Sequence, residues 1–397
     1  ICKLRLFLKL ASQVEPDPPQ ENLGIEPLPD IDFNIRAGNT LVGFATREDV
    51  KRSVQYGTVG GVQAEKLFAM PEEDAQLKRI EEKAEDVDRL YQLFRQQQTE
   101  FGGEVLPENK RELQKRLGEL EAELNILLAR QYAIHNPKGE DYKKWLKSHT
   151  PFHWFVEFYG IMNEGGFDVI VGNPPYVEYR KVRSTYQVQN YKTEESENLY
   201  VYAIERSLQL ISSDSRLGLI VPISLVSVPD NNVARKILLD QGSSWFSNYA
   251  IRPAKLFEGV EQRLTICLVD RDKGSNKRAY STKYNQWFKD ERPSLFQKLT
   301  YGDTTDLANE NLIPKSGSDI AIGVLKELAN IKSNLVALHL VSESKHKLYF
   351  HRTPGYWIRM MDFLPYYKSP TGDRSIFHTR ELSVSDAAYN KFIGAVV

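Results

Sequence analysis

The chain has 397 residues, of which 41% are hydrophobic and 26% charged, and its formal net charge is −1. This length is ample for a large core and predicts two or three domains, while the near-neutral charge means that any contact with nucleic acid must depend on local patches. No apolar run has membrane-spanning length, and two cysteines are too few for a disulfide framework or a cysteine zinc cluster. The cytoplasm is the expected compartment.

The first predicted elements are an amphipathic helix at residues 1–10 and a segment that ends in a Gly-Asn pair. Residues 27–43 read PLPDIDFNIRAGNTLVG, in which Asn39 and Thr40 follow Gly38. Taken alone, such a pair is also an ordinary turn between two strands.

Residues 72–132 carry two apolar runs at alternating three- and four-residue steps, separated by Gly102-Gly103 and Pro107. This pattern predicts a helical hairpin with a coiled-coil-like seam. Its mixed charges lack the basic stripe of a DNA clamp, so an inserted structural arm is the favoured interpretation, and a grip on DNA or on a partner subunit stays open. The seam positions are Leu77, Ile80, Ala84, Val87, Tyr91 and Phe94 in one run and Leu113, Leu117, Leu120, Leu124 and Leu127 in the other.

Residues 167–171 form a short, apolar, β-rich run that predicts a buried strand of a parallel sheet. The run ends at Gly172, and residues 173–176 read Asn-Pro-Pro-Tyr. Each proline fixes φ near −65° and lacks an N–H, so the chain leaves the strand stiff and extended.

This tetrapeptide offers two acceptors to one NH₂ group. The side-chain oxygen of Asn173 and the carbonyl of Pro174 are expected to converge, with the flat ring of Tyr176 beside them. The position suits a ligand, because open α/β sheets bind ligands outside the carboxyl ends of their strands. A plain proline turn after a core strand is the alternative.

The chain turns basic after this motif. Arg180, Lys181 and Arg183 lie among tyrosines, a mixture that suits a nucleic-acid backbone with unstacked bases, although a solvated loop is the alternative. Alternating helices and strands then indicate a doubly wound α/β sheet, with helices over 199–211 and 233–239 and strands over 216–222 and 264–269.

The Asn-Pro-Pro-Tyr motif after a strand that ends in Gly resembles the catalytic motif of S-adenosylmethionine-dependent amino-methyltransferases, especially the N6-adenine DNA methyltransferases. The wider chain resembles the large, type IIG-like restriction–modification class, in which methylase and target-recognition parts share one polypeptide. Three further segments support this resemblance: residues 27–43, residues 151–158 (PFHWFVEF) and residues 255–270 (KLFEGVEQRLTICLVD).

The resemblance implies a Rossmann-like methyltransferase sheet, S-adenosylmethionine as cofactor, and a catalytic motif of Asn173, Pro174, Pro175 and Tyr176. Asn39, at a position where Asp is common in relatives, would bind the cofactor together with Thr40, Asn173 and Pro175.

The same resemblance implies that Tyr176 and Phe257 stack on an extruded adenine. A core phenylalanine is the alternative for Phe257, and His153 is interpreted as a wall residue rather than a catalytic group. Double-stranded DNA with a flipped adenine is the expected partner, and no metal or membrane is expected. The candidate DNA contacts are Arg180, Lys181, Arg183, Arg352 and Arg359, of which the last two lie in a segment, YFHRTPGYWIR, that resembles the entrance to a target-recognition domain.

The expected domain order begins with a cofactor-side part that is incomplete at its amino end, because no glycine-rich loop is found there, and this chain alone is therefore expected to be poorly active. A family that never had this loop is the alternative. A restriction or specificity partner, separate or fused, is expected outside this chain. The rival functions are methylation of RNA or of protein glutamine, a nuclease, and a DNA-binding scaffold without catalysis. The predicted parts are 1–61 (cofactor side), 62–148 (helical hairpin insertion), 149–270 (catalytic part) and 271–397 (linker and partial target-recognition domain).

Overall fold

The computed structural model describes residues 2–16, 18–19, 34–59, 62–65, 71–99, 107–272, 277–331, 340–351, 360–363 and 379–396. The chain forms two compact units, Ile1–Gly323 and Val324–Val397. The predicted division into four parts stays a prediction.

The helices of the first unit include one long pair and several short helices. The first two are α1 (Cys2–Ala11) and α2 (Arg47–Gln55), and the long pair is α3 (Pro71–Thr99) and α4 (Pro107–Gln131). The short helices that follow include α8 and α9, whose positions agree with the predicted helices over 199–211 and 233–239. They are α5 (Glu140–His149), α6 (Trp154–Glu157), α7 (Tyr159–Asn163), α8 (Leu199–Leu210) and α9 (Asn232–Leu239).

The strands of the first unit form a small hairpin and a six-stranded sheet. The hairpin pairs β1 (Tyr56–Val59) with β2 (Val62–Glu65). The order in the main sheet is β3–β4–β6–β5–β7–β8, with β3 parallel to β4 and β5 parallel to β7. Its strands are β3 (Phe167–Gly172), β4 (Ile211–Pro222), β5 (Ser243–Tyr249), β6 (Leu264–Arg271), β7 (Ala279–Asn285) and β8 (Tyr301–Asp303).

The predicted α/β class is confirmed, and the sheet is mixed. Strand β6 lies antiparallel between β4 and β5. No helix crosses over between β5 and β6, so the chain returns directly and the two strands pair in opposite directions. No helix in the described part of the chain is long and apolar enough to span a membrane.

Helices α8 and α9 cover one face of the main sheet. Leu217, Leu219 and Val221 of β4 are buried at alternating positions on this face, as the two-residue period of a strand requires. The same core includes Tyr200, Val201, Ile204 and Leu208 of α8, Ala234 and Leu238 of α9, Phe246 of β5, and Cys267 and Val269 of β6.

The prediction that strand β3 is buried is wrong for one of its faces. Ile170 packs against the core beneath α8, whereas Val169 and Val171 are 59% and 78% exposed. Their side chains point to the opposite face of the sheet, which α8 and α9 do not cover.

The helical hairpin agrees with the predicted seam. Apolar residues of α3 and α4 at the predicted positions are buried against one another, and Lys83 pairs with Glu123 across the two helices at 2.5 Å. The same core contains Val42, Phe44 and Trp145. The hairpin is therefore packed into the first unit, and its role as an inserted structural arm stays a prediction.

Helix α10 (Asp319–Asn330) crosses the division between the units. In the second unit, β9 (Lys347–His351) pairs antiparallel with both β10 (Met360–Met361) and β11 (Thr379–Ser383), and α11 (Asp386–Val396) follows. The candidate DNA contacts Arg352 and Arg359 lie outside the described residues.

Candidate active site

The Asn-Pro-Pro-Tyr motif leaves the carboxyl end of β3 beside its parallel neighbour β4. The last paired residue is Gly172, which lies opposite Leu219. Asn173 is exposed and Pro174 is half-buried. Among the described residues, no backbone N–H donates to the Pro174 carbonyl oxygen. The motif therefore stands at the edge where α/β sheets bind ligands, and no ladder hydrogen bond occupies this carbonyl.

The Tyr176 hydroxyl joins the motif to the neighbouring strand. It donates a short hydrogen bond to Asn173 Oδ1 and lies 3.0 Å from the carbonyl oxygen of Ile220. A phenol has one hydrogen, so it can serve only one of these two acceptors at a time. Burial raises the pKa of Tyr176 to about 12, so the phenol keeps that hydrogen at neutral pH.

The two aromatic residues predicted to stack on a base share one supporting wall. Tyr176 and Phe257 are half-buried, and both pack against the same core cluster. This cluster consists of Tyr249, Leu256, Leu264, Trp287 and Leu295.

Arg292 fixes the loop that carries Phe257, and sequence reasoning missed this residue. Its guanidinium donates to the Leu256 carbonyl oxygen at 2.8 Å and lies 5.8 Å from the centre of the Trp287 ring. Arg292 lies far along the chain from Phe257, in a region whose sequence shows no catalytic signature, so only the fold reveals this role.

The described portion of the 27–43 segment begins at residue 34 and contains a tight turn at Asn39. The Asn39 N–H donates to Thr150 O at 2.7 Å, and the Asn39 side-chain oxygen accepts the Leu41 N–H at 3.2 Å. Among the described residues, no hydrogen bond is seen from the side-chain amide nitrogen of Asn39. Thr40 is exposed, and its carbonyl accepts the Trp154 indole N–H at 3.2 Å.

His153 holds the same turn from the inside. Its Nδ1 accepts the Phe44 N–H at 3.2 Å, and its Nε2 lies 3.2 Å from Asn125 Oδ1. Full burial lowers the pKa of His153 to about 3, so the ring is neutral at physiological pH. These contacts give His153 a structural role, as the sequence interpretation expects.

Arg206 of α8 also fastens this turn, and sequence reasoning missed it. Its guanidinium donates to the carbonyl oxygens of Leu41 and Gly43 at 3.3 Å each and to the Tyr191 hydroxyl at 2.9 Å. A signal was present, because Glu205 and Arg206 are adjacent charges inside an otherwise largely apolar helix. Glu205 is likewise buried and accepts the N–H of Thr193 at 3.1 Å.

The residues of the two predicted halves of the site make their contacts in separate places, and their roles stay predictions. The contacts of Asn39 and Thr40 go to the residues just before β3, including Thr150 and Trp154. Asn173 instead bonds to Tyr176, whose ring packs with that of Phe257 against the shared wall.

The predicted DNA contacts beyond the motif are exposed and paired with glutamates. Lys181 lies 3.9 Å from Glu178, which also binds Arg180, and Arg183 lies 3.8 Å from Glu197. Exposed pairs of this kind are weak, so DNA phosphates can replace the glutamates at little cost. A role for these residues in binding DNA stays a prediction.

An amide, two prolines and a tyrosine thus lie together at the carboxyl edge of a parallel strand pair. The profile of the Eco57I restriction-modification methylase family matches residues 1–244, and the chain belongs to this family.

One relative is a protein of Methanocaldococcus jannaschii that is provisionally described as a type II restriction enzyme and methyltransferase. It is 30% identical over 261 residues, which are 56% of this chain and 21% of the relative. The chain thus spans about a fifth of that relative's length.

Solved structures of restriction–modification enzymes also match, at low scores. A nuclease-deletion mutant of the Type ISP enzyme LlaGI, in complex with a DNA substrate mimic, gives a TM-score of 0.34 at 11% identity and covers 50% of this chain and 22% of its own. A modification subunit of a provisionally described type I restriction enzyme from Vibrio vulnificus gives a TM-score of 0.28 at 12% identity. The match covers 82% of this chain and 89% of that subunit. Similarities at these scores carry no argument about function.

Proposed function

We propose that this chain carries the methyl-accepting site of a DNA methyltransferase that transfers a methyl group from S-adenosylmethionine to adenine N6 in a restriction–modification system. The arrangement of Asn173, Pro174 and Tyr176 at the carboxyl end of β3 carries the proposal. Membership of the restriction-modification methylase family supports it.

The substrate base must leave the duplex, since adenine N6 is inaccessible inside it, and unstacking costs a few kcal/mol. Stacking on an aromatic side chain returns roughly 1–3 kcal/mol per base. Tyr176 and Phe257 are the aromatic residues for this step, because they pack on one wall beside the motif.

The amine of the flipped adenine donates its two hydrogens to Asn173 Oδ1 and to the Pro174 carbonyl. Tyr176 must then share or release Asn173 Oδ1, and the Ile220 carbonyl at 3.0 Å is a ready alternative acceptor for its hydroxyl. Two good acceptors raise electron density on N6 and fix its direction of attack, and such positioning provides most of the rate acceleration. No general base is required, because the amine becomes strongly acidic only as it is methylated, and its surplus proton can then pass to water.

S-adenosylmethionine supplies the methyl group as an electrophilic sulfonium. The chain's residues fit one side of this cofactor, where Asn39 and the exposed Thr40 form a firmly held turn. Because Asn39 Oδ1 already accepts the Leu41 N–H, its amide nitrogen suits a ring nitrogen of the cofactor's adenine better than the adenine amine. Asn173 and Pro175 remain the predicted contacts on the methyl side.

Double-stranded DNA is the proposed partner, with Arg180, Lys181, Arg183, Arg352 and Arg359 as its contacts. A nuclease or specificity partner, fused or separate, completes the proposed system, and the cytoplasm is its expected compartment.

The test is transfer of radiolabelled methyl groups to DNA, RNA and protein in parallel, with the products identified after digestion. The parent chain should produce N6-methyladenine in DNA at a low rate. Asn173→Ala should lower the rate by about 10²–10³-fold, as is typical when one positioned group of an active site is removed. Asn311→Ala is the matched control, because Asn311 is exposed and lies outside the motif.

The proposal fails if the label appears on RNA or on protein glutamine instead of DNA. It also fails if the parent chain transfers no methyl group, or if Asn173→Ala is as active as Asn311→Ala.

A further inference from the structure

A polar cleft of about 450 Å³ lies between α2, the end of α4, the loop at 189–192 and α8. Small-molecule sites in proteins have volumes of roughly 300–1,000 Å³. Residues 41–44 form one wall of the cleft, whereas Asn39, Thr40, Asn173 and Tyr176 lie outside its lining. The cleft is therefore distinct from the proposed active site.

The lining of this cleft has an excess of positive charge. Asp49 pairs with Arg52. Glu205 accepts the Lys192 N–H at 3.0 Å and the Thr193 N–H at 3.1 Å, so its carboxylate holds the loop rather than a cation. The charged side chains of the lining are four cations, Arg52, Arg130, Lys192 and Arg206, and two carboxylates, Asp49 and Glu205.

Arg206 supplies a buried cation to this lining. It is 7% exposed, and its guanidinium donates to neutral groups, namely the Leu41 and Gly43 carbonyls, the Tyr191 hydroxyl and, at 3.0 Å, Gln209 Oε1. These contacts use all but one of the N–H groups of a guanidinium. No carboxylate in the described part of the chain forms an ion pair with Arg206. An anion in the cleft would supply the opposite charge that buried charges usually have.

Further hydrogen-bond donors line the same cleft. Lys192 is exposed, and its ammonium pairs with no carboxylate among the residues that the structure describes. In the same described ranges, the side-chain amide nitrogens of Gln131, Gln189 and Gln209 donate to no protein group. Gln131 Oε1 accepts the Asn190 amide at 3.3 Å, which orients the Gln131 amide nitrogen away from that contact. Donors of this kind suit the oxygens of phosphates and hydroxyl groups.

We propose that this cleft binds a small phosphate monoester with a hydroxylated body, as in a nucleotide or a sugar phosphate. A phosphate monoester carries a charge of about −1.5 to −2 at neutral pH. This charge matches the lining, in which cations outnumber carboxylates by two. The phosphate lies between Lys192 and Arg206, and the glutamine amides contact the hydroxyl groups. A phosphodiester of DNA has only a single negative charge and matches the lining less well.

The ligand in this position contacts α2, α4 and α8 together with the wall at 41–44. Because it binds the folded chain and not the unfolded one, it also stabilises the fold. The inference goes beyond the proposed function and does not depend on it, since the cleft lies outside the proposed active site.

Isothermal titration calorimetry of the whole chain with UMP, ribose 5-phosphate and ribose tests the proposal. Ribose 5-phosphate has no base, so it cannot stack on Tyr176 or Phe257. Both phosphate compounds should bind, and ribose should bind at least about tenfold more weakly, because it lacks the charged group. Binding of only one of the two phosphate compounds would identify the body of the ligand as a nucleotide or as a free sugar phosphate.

Lys192→Gln should weaken the binding of the phosphate compounds at least about tenfold, since it removes a charged hydrogen-bond donor. Lys51→Gln is the matched control, because Lys51 lies on α2 outside the lining, and it should change the affinity less than about twofold. Both lysines are exposed, so both variants should fold.

Four outcomes would overturn the proposal. Neither phosphate compound binds, ribose binds as tightly as ribose 5-phosphate, or the two lysine variants have equal affinities. In the fourth, a DNA duplex binds more tightly than UMP and loses this advantage in Lys192→Gln, which would assign the cleft to DNA. The measured heat involves no methyl transfer, so failure here is distinct from failure of the proposed function.

Discussion

The two segments that the proposed site joins are held in opposite ways. The turn from Asn39 to Phe44 is fastened by buried side chains from several elements, including His153 and Arg206. The motif at 173–176 is instead restrained by its two prolines and by one phenol that faces two acceptors. The turn from Asn39 to Phe44 is thus held by buried groups, whereas the motif at 173–176 has few fixed contacts.

This difference matches what each segment has to do. Under the proposed function a flipped base enters beside the motif, so Asn173 Oδ1 would need a partner that it can exchange. The turn at Asn39 needs no such exchange, so its hydrogen bonds can be buried and permanent. Mutations should therefore damage stability at the turn and chemistry at the motif.

Gly43→Ala should have the largest effect on stability. Gly43 has φ +130°, and a Cβ atom there would lie 2.1 Å from the carbonyl oxygen of Phe152. We expect a loss of about 4 kcal/mol in the free energy of unfolding, measured by urea denaturation. Gly259→Ala is the control, with φ +79° and no atom within 4 Å of the new Cβ, and should cost about 1 kcal/mol. Equal losses would remove the steric argument.

Arg206→Met should have the next largest effect. We expect it to lower the free energy of unfolding by about 3 kcal/mol, measured by urea denaturation. The substitution keeps an apolar side chain of similar length but leaves the Leu41 and Gly43 carbonyls without their charged donor. Arg180→Met should change stability by less than about 0.5 kcal/mol, since that side chain is exposed. If both variants unfold at the same urea concentration, Arg206 does not hold the turn.

The pH dependence of stability should report on His153 with a smaller effect. The pKa of His153 is about 3 in the folded chain and near 6.5 when unfolded, so the unfolded state binds the extra proton. The contribution of neutral His153 to the free energy of unfolding is fully present above pH 6.5. It is lost as the pH falls, by about 2 kcal/mol between pH 6.5 and 4.5. His153→Gln should lack this component. Parallel stability curves for the two proteins would contradict the assignment.

Tyr176→Phe should have the smallest effect on stability, within about 1 kcal/mol. The ring keeps its packing against the wall that it shares with Phe257, and only the hydroxyl contacts with Asn173 and Ile220 are lost. Urea denaturation measures this change in the free energy of unfolding, and the loss caused by Gly43→Ala is the reference for a large effect. A loss as large as that of Gly43→Ala would show that the motif is a structural element.

Local patterns predicted much of the fold. Helices α8 and α9 and the seam of the α3–α4 hairpin lie where the apolar periodicity placed them, because a three- to four-residue step is a property of the sequence itself. The position of the Asn-Pro-Pro-Tyr motif after β3 was equally readable, since a β-rich run and two prolines fix the backbone locally. The buried partners Arg206 and Arg292 were not predicted, because their contacts lie far away along the chain.

The sequence by itself determined the secondary structure around the motif, the two acceptors and the aromatic residue at its end. Only the tertiary structure decided the mixed order of the sheet, the exposed face of β3 and the wall shared by Tyr176 and Phe257. The reason is physical: periodicity and backbone restriction act over a few residues. Strand order and face coverage depend instead on which distant segments bury apolar area against each other.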